Sequence, residues 1–187
     1  ANENKAVLPH MLDQPNLDWK DARHPILEQS LAKIGKKIKP ITIRLAEEKR
    51  IMVVSGPNAG GKSVTLSTIG LLQYLFQSGC LIPVGEGSSI GMFDQIFLDM
   101  GDEQNLENEL STYSYRLKRM NYFLKVTHKR TLLLLDEFGT GSDPDLGGAL
   151  AEVFFEELYN KKAFGVITTH YANIKLKADQ LRNAING

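Results

Sequence analysis

Short apolar runs and amphipathic stretches alternate along most of the chain. Ile51, Met52, Val53 and Val54 form an unbroken apolar run, the pattern of a strand buried on both faces of a parallel sheet, and Glu47 to Arg50 before it read as a charged turn. Val64, Leu66, Ile69, Leu72 and Phe76 recur near helical spacing until Gly79, which predicts a helix that stops there. Upstream, Ile41, Ile43 and Leu45 alternate with Thr42 and Arg44 as in a half-exposed strand, and Pro25 disfavours helix at His24. Downstream, a strand carries Ile96, Phe97 and Leu98, and Tyr113, Leu117, Met120 and Leu124 mark one face of a helix beginning near Ser111. The run Leu132 to Leu135 predicts a buried strand ending in Asp136-Glu137. Pro144 suits the first turn of a helix carrying Leu146, Leu150, Val153, Phe154 and Leu158. Val166-Ile167 is a further strand, and a short polar helix runs from about Ala172. Residues 1–22, polar with scattered Leu, two prolines and Trp19, read as a lead-in segment rather than a core element, leaving 23–187 as the domain. This alternation predicts a layered α/β domain with a mainly parallel sheet.

Composition narrows the function classes. A length of 187 residues suits one domain with a sizeable core. Equal numbers of basic and acidic residues, 22 of each, leave no global field pulling the chain toward nucleic acid or membrane. The single cysteine, Cys80, excludes an internal disulfide and a thiolate zinc site; a small buried hydrophobe is its expected role and a reducing cytoplasm its expected setting. No apolar run reaches the length of a membrane span, and Ala1-Asn2-Glu3-Asn4-Lys5 is not a signal peptide. The missing initial Met and the end at Asn186-Gly187 point to a piece of a longer protein. Lys33, Lys36, Lys37, Lys39 and Arg44 form a local basic stretch. It reads first as a solvated face and second as a contact for phosphate or adenine.

The candidate chemistry centres on Gly56-Pro57-Asn58-Ala59-Gly60-Gly61-Lys62-Ser63, which fits GxxxxGK[ST] between a strand and a helix. Such a loop curls glycine-rich backbone around an anion at a helix N-terminus, where unpaired N–H groups and the helix dipole favour negative charge. Lys62 is then expected to reach the β- and γ-phosphates of a nucleotide, and Ser63 to offer its hydroxyl to Mg²⁺. Asp136 follows the leucine strand at the sheet edge where open α/β sheets bind ligands, and is expected to hold Mg²⁺ with Ser63. On a continuing strand the Asp136 and Glu137 side chains diverge. Glu137 is therefore expected to polarise an attacking water as general base, with a solvated carboxylate as the alternative. His170, at the end of the next strand, is positioned to donate to the γ-phosphate.

These motifs, in their order, resemble the MutS-type ATPases of the ABC superclass of P-loop NTPases. The resemblance covers about Arg23 to Tyr171. It rests on Arg23-His24-Pro25, the loop of residues 56–63, Leu110-Ser111-Thr112-Tyr113, Asp136-Glu137-Phe138-Gly139-Thr140-Gly141 and Thr168-Thr169-His170-Tyr171. Ala59 stands where the mismatch-repair branch usually has Met, and Ser142-Asp143-Pro144 replaces that branch's Ser/Thr-rich loop. With Gly101-Asp102-Glu103-Gln104, these look like the bacterial paralogue branch associated with suppressing recombination and rescuing stalled ribosomes. The resemblance implies an ATPase using ATP and Mg²⁺, cytoplasmic, working as a homodimer with each nucleotide sandwiched between one subunit's loop and the other's signature serine, here Ser111. A plain N-cap is the alternative for Ser111, although Ser114 is not the Glu or Gln of a capping box. By analogy with the superclass, Gln104 contacts metal or water and Asn58 senses the γ-phosphate; the family's adenine contact falls near Ile38. DNA, branched or mismatched, or the ribosome is the partner expected for parts outside this segment. Two other readings remain beside this one: mismatch-repair MutS proper, and a nucleotide-gated dimerisation module with little hydrolysis. An ABC transporter subunit is disfavoured because no Leu-Ser-Gly-Gly signature is present, and a coiled-coil head because no sustained heptads separate Lys62 from Asp136.

Overall fold

The computed structural model describes residues 6–54, 61–100, 109–138, 144–181 and 184–186. Its centre is β7 (Thr131–Leu135), a strand buried at every position. Successive side chains on a strand face opposite ways, so a four-leucine run is stable only where both faces are covered. Leu132 and Leu134 enter one core cluster, and Leu133 and Leu135 enter another on the opposite face. β7 belongs to a five-stranded sheet of order β6-β7-β8-β4-β9, comprising β4 (Ile51–Val54), β6 (Gln95–Asp99), β8 (Phe164–Thr168) and β9 (Ala184–Asn186). Every pairing in it is parallel.

One face of this sheet is covered by α2 (Lys62–Gln77), whose Leu66, Ile69, Leu72 and Phe76 are buried. The helix comes close: a methyl group on Gly70 would lie 3.1 Å from Leu134 Cδ1. The other face is covered by α3 (Glu109–Val126), α4 (Pro144–Asn160) and α5 (Ala172–Gln180), through Phe123, Ala151, Phe155, Leu158, Ile174 and Ala178. Val64 and Val153, both expected on buried helical faces, point outward at 44% and 59% exposure. On α4 the buried line runs instead through Ala151, Phe155 and Leu158, at i, i+4 and i+7. Cys80, expected as a buried hydrophobe, is exposed, because it follows the αL residue Gly79 on the turn that ends α2. The lysines at 33, 36, 37 and 39 are all exposed, and Arg44 pairs with Glu48 at 3.3 Å. Among the described residues no helix is long and apolar enough to cross a membrane.

A second sheet, of order β1-β5-β2-β3, packs on the far side of α2. It comprises β1 (His10–Leu12), β2 (Leu17–Ala22), β3 (Ile41–Leu45) and β5 (Ser89–Gly91). The expectation that residues 1–22 stay outside the core is corrected here. Leu17 and Trp19 are fully buried, and Ala22 is 1% exposed. Alternation carries Leu17 and Trp19 inward; a register shift between Trp19 and Ala22, with Asp21 at φ 48°, then returns Ala22 to the same face. That irregularity hides the strand from a strict two-residue period. Also unforeseen are β5, β9 and α1 (Pro25–Lys33). The helix α1 starts directly after His24, as Pro25 requires, with the His24 Nδ1 accepting from the Leu27 N–H at 3.3 Å.

Trp19 therefore anchors the second sheet on α2. Trp19→Ala is expected to cost about 3–5 kcal/mol and to lower the melting temperature by roughly 6–20 °C. A shift under 2 °C in differential scanning calorimetry would show that the N-terminal strands contribute nothing to the core.

Candidate functional site

The candidate residues converge at the carboxyl edge of the parallel sheet. Register explains how. Val54, the last residue of β4, pairs with Thr168, the last residue of β8, and Leu135, the last of β7, pairs with Ile167. Asp136 therefore emerges level with Thr168, and the chain leaving β4 toward α2 starts level with both.

Gly61 precedes α2 at φ 79°, ψ 18°, in the left-handed region, which glycine occupies at no steric cost. No side chain caps the helix. Lys62, in its first turn, is 6% exposed and Ser63 is exposed. The Ser63 hydroxyl donates to Asp136 Oδ2 at 2.5 Å. Residues 56–60 of the glycine-rich loop, Asn58 among them, lie outside the described residues, as does Gln104.

Asp136 is half-buried, and its other oxygen, Oδ1, accepts from the Thr168 hydroxyl at 2.5 Å. The Asp136 N–H donates to the Asp99 carbonyl at 2.8 Å, tying it to β6 as well. Glu137 departs from the expectation of a continuing strand, since β7 ends at Leu135. Glu137 sits at φ 48°, a left-handed conformation uncommon for a residue with a side chain. The backbone at Glu137 follows this kink, not strand alternation. The kink is held by the Glu137 N–H donating to Thr168 Oγ1 at 2.8 Å and the Phe138 N–H to the Thr168 carbonyl at 2.8 Å. Thr169 Oγ1 donates to the Phe138 carbonyl at 3.1 Å. His170 stands exposed at the tip of β8, next in sequence to this tie.

Ser111 is the third residue of α3, inside the first turn of a helix that begins two residues earlier than expected and not at its cap. The structure thus gathers Lys62, Ser63, Asp136, Glu137 and His170 at one sheet edge, and sets Ser111 on a separate element. Arg23-His24-Pro25 holds local structure together, since His24 caps α1, Arg23 pairs with Glu28 at 3.1 Å, and the His24 Nε2 lies 3.5 Å from the Ser67 hydroxyl of α2. The group that sequence reasoning passed over is the Thr168 hydroxyl. Its signals are a polar residue closing an otherwise apolar strand and its place in the Thr168-Thr169-His170-Tyr171 stretch.

The donors facing each other here, a hydroxyl and a carboxylate, are the hard oxygens that Mg²⁺ prefers, and that ion commonly takes only one or two protein ligands beside water and phosphate. Among the described residues no cluster of three or more His, Cys, Asp or Glu forms an all-protein metal cage. The pair therefore fits Mg²⁺ brought with a phosphate ligand.

A parallel α/β sheet with a GxxxxGKS stretch leading into a helix whose Ser63 meets a carboxylate just past β7, two strands from β4, is an arrangement that suits a nucleotide. More narrowly, the chain belongs to the MutS domain V family, whose profile matches residues 52–186. Among its relatives, a Shouchella clausii protein named Endonuclease MutS2 is 40% identical over 186 residues, 100% of this chain and 23% of that protein. A Borreliella burgdorferi protein of the same name is 43% identical over 184 residues, 98% of this chain and 22% of that protein. The chain thus spans under a quarter of the length of these relatives.

Lys62, next in sequence to Ser63, is buried in the first turn of α2. Lys62→Ala is expected to weaken fluorescent-ATP binding by roughly 10- to 100-fold, the loss of charge-assisted hydrogen bonds to phosphate. Unchanged affinity in a titration would place the phosphates elsewhere.

Proposed function

We propose that this chain is the Mg²⁺-dependent ATP-hydrolysing module of a MutS2-type protein. The observation that carries the reading is the Ser63–Asp136 hydrogen bond. It joins the residue after the lysine of the GxxxxGKS stretch to the carboxylate closing the leucine strand, which is the pairing that Mg·ATP chemistry needs. Residues 56–63 cradle the phosphates, Lys62 compensates their charge, and Ser63 with Asp136 holds the ion. Bound Mg²⁺ supplies charge neutralisation at the phosphates. Glu137 orients and deprotonates the attacking water, and His170 donates to the γ-phosphate. Two copies close face to face, Ser111 of each completing the nucleotide site of the other, with Gln104 and Asn58 in the supporting roles the family resemblance implies. The cycle of closing and opening drives conformational change in attached parts of a cytoplasmic protein that acts on DNA or the ribosome. The names of the relatives and the residues at Ala59 and 142–144 support the paralogue branch over mismatch repair.

Glu137→Gln keeps the shape of the side chain and loses the base. It is expected to bind ATP normally, to slow turnover about 100-fold or more, and to trap the dimer in sedimentation with Mg·ATP. Wild-type turnover with no added dimer would remove the general-base role.

The trans role of Ser111 is tested by mixing. Ser111→Ala and Lys62→Ala homodimers are each expected to be inactive, while random pairing makes about half the dimers mixed, each with one intact site of two, and returns about a quarter of wild-type turnover if the sites act independently. No recovery on mixing, together with activity in a linked dimer carrying one defect per site, would put Ser111 in cis.

A further inference from the structure

One buried hydroxyl, with no role assigned so far, touches both acidic residues of the site. Thr168 is 1% exposed, so its hydroxyl has no water to turn to. The Glu137 N–H can only donate, which obliges Thr168 Oγ1 to accept there. The single hydroxyl proton is then committed to Asp136 Oδ1. This is the only assignment that satisfies all three groups, and it gives the hydroxyl two consequences at once. It holds one oxygen of Asp136, leaving Oδ2 toward Ser63. It also holds the backbone of Glu137 in the left-handed conformation that sets where that carboxylate projects.

We propose that Thr168 is a positioning residue that couples the metal-holding carboxylate of Asp136 to the water-activating carboxylate of Glu137; this rests on the ATPase reading above. Thr168, being 1% exposed, acts through Asp136 and Glu137 rather than on a ligand directly. A ligand drawing Asp136 shifts the hydroxyl that the Glu137 N–H depends on, so the two carboxylates are set as a unit. A β-branched residue suits the strand here, and Val has the same shape. What Val lacks is the donor and the acceptor. Its substitution leaves the Asp136 oxygen and the Glu137 N–H without this partner and releases the kink.

The test compares Thr168→Val and Thr168→Ser in the full-length protein. For Thr168→Val, kcat is expected to fall about 10- to 100-fold, the usual loss when a group supporting a metal ligand is removed. The Mg²⁺ concentration for half-maximal ATP binding should rise about tenfold, while Mg²⁺-free ATP binding stays unchanged. Thr168→Ser, with its hydroxyl kept, should restore both quantities to within about threefold of wild type. A side chain that only filled space would be mimicked by Val and not by Ser. The proposal is overturned if Thr168→Val matches wild type in kcat and Mg²⁺ requirement, or if Thr168→Ser is as impaired as Thr168→Val. If circular dichroism shows Thr168→Val unfolded, Thr168→Cys replaces it. A weak thiol donor should give an intermediate Mg²⁺ requirement, and a wild-type value overturns the proposal. A wild-type protein that neither binds nor hydrolyses Mg·ATP removes the ATPase reading and this proposal with it, whereas an active wild type with an unaffected Val variant removes this proposal alone.

Discussion

Two hydroxyls divide one carboxylate between them at the heart of the site: Ser63 takes Oδ2 of Asp136 and Thr168 takes Oδ1. These contacts join the first turn of α2, the end of β7 and the end of β8, three elements far apart in sequence. Remove the carboxylate and nothing among these contacts relates the helix after the glycine-rich loop to the end of β7. Hydrogen bonds to an ionised acceptor are stronger and shorter than neutral ones, and here they also define which oxygen each neighbour receives.

That arrangement presupposes a rigid sheet edge. The strands β7, β8 and β4 are adjacent and parallel, so their carboxyl ends stop at one level. Their rigidity comes from burial on both faces, since Leu132 and Leu134 pack toward α2 while Leu133 and Leu135 pack toward α4 and α5. The helix α2 is clamped in turn between the parallel sheet and the second sheet, with Trp19 in the same cluster as Leu66, Ile69 and Leu72. A distant strand thus helps to hold Lys62 and Ser63 in place. Close packing transmits such displacements, because interiors have little free volume to absorb them.

The left-handed backbone at Glu137 is the local counterpart of that rigidity. A non-glycine residue there carries a conformational cost of order 1–3 kcal/mol, tolerated where surrounding structure over-determines it. The ties from Thr168 and Thr169 to residues 137 and 138 supply that structure. The chain's membership of the MutS domain V family sets this geometry in context, and the strained residue stands at the carboxyl edge of the parallel sheet.

The elements at the centre of the domain were legible in the sequence. The runs 51–54 and 132–135, the helix ending at Gly79 and the Pro144 start all match the structure, because continuous apolar strands, helical periodicity, glycine stops and proline starts are local signals. So were the residues gathered at the sheet edge, since the GxxxxGKS stretch and the Asp-Glu pair announce themselves by composition and spacing. The second sheet was not legible, because β2 is broken by a bulge and β5 spans only three residues, Ser89–Gly91. Their burial depends on partners supplied by α2. Nor did any local pattern show that Glu137 leaves the strand in a left-handed turn, or that Thr168 holds both the Asp136 carboxylate and the Glu137 N–H. Sequence determined which side chains stand at the edge of the sheet; tertiary structure alone decided how they meet, because hydrogen-bond geometry between residues 63, 136 and 168 exists only once three separate segments are packed in register.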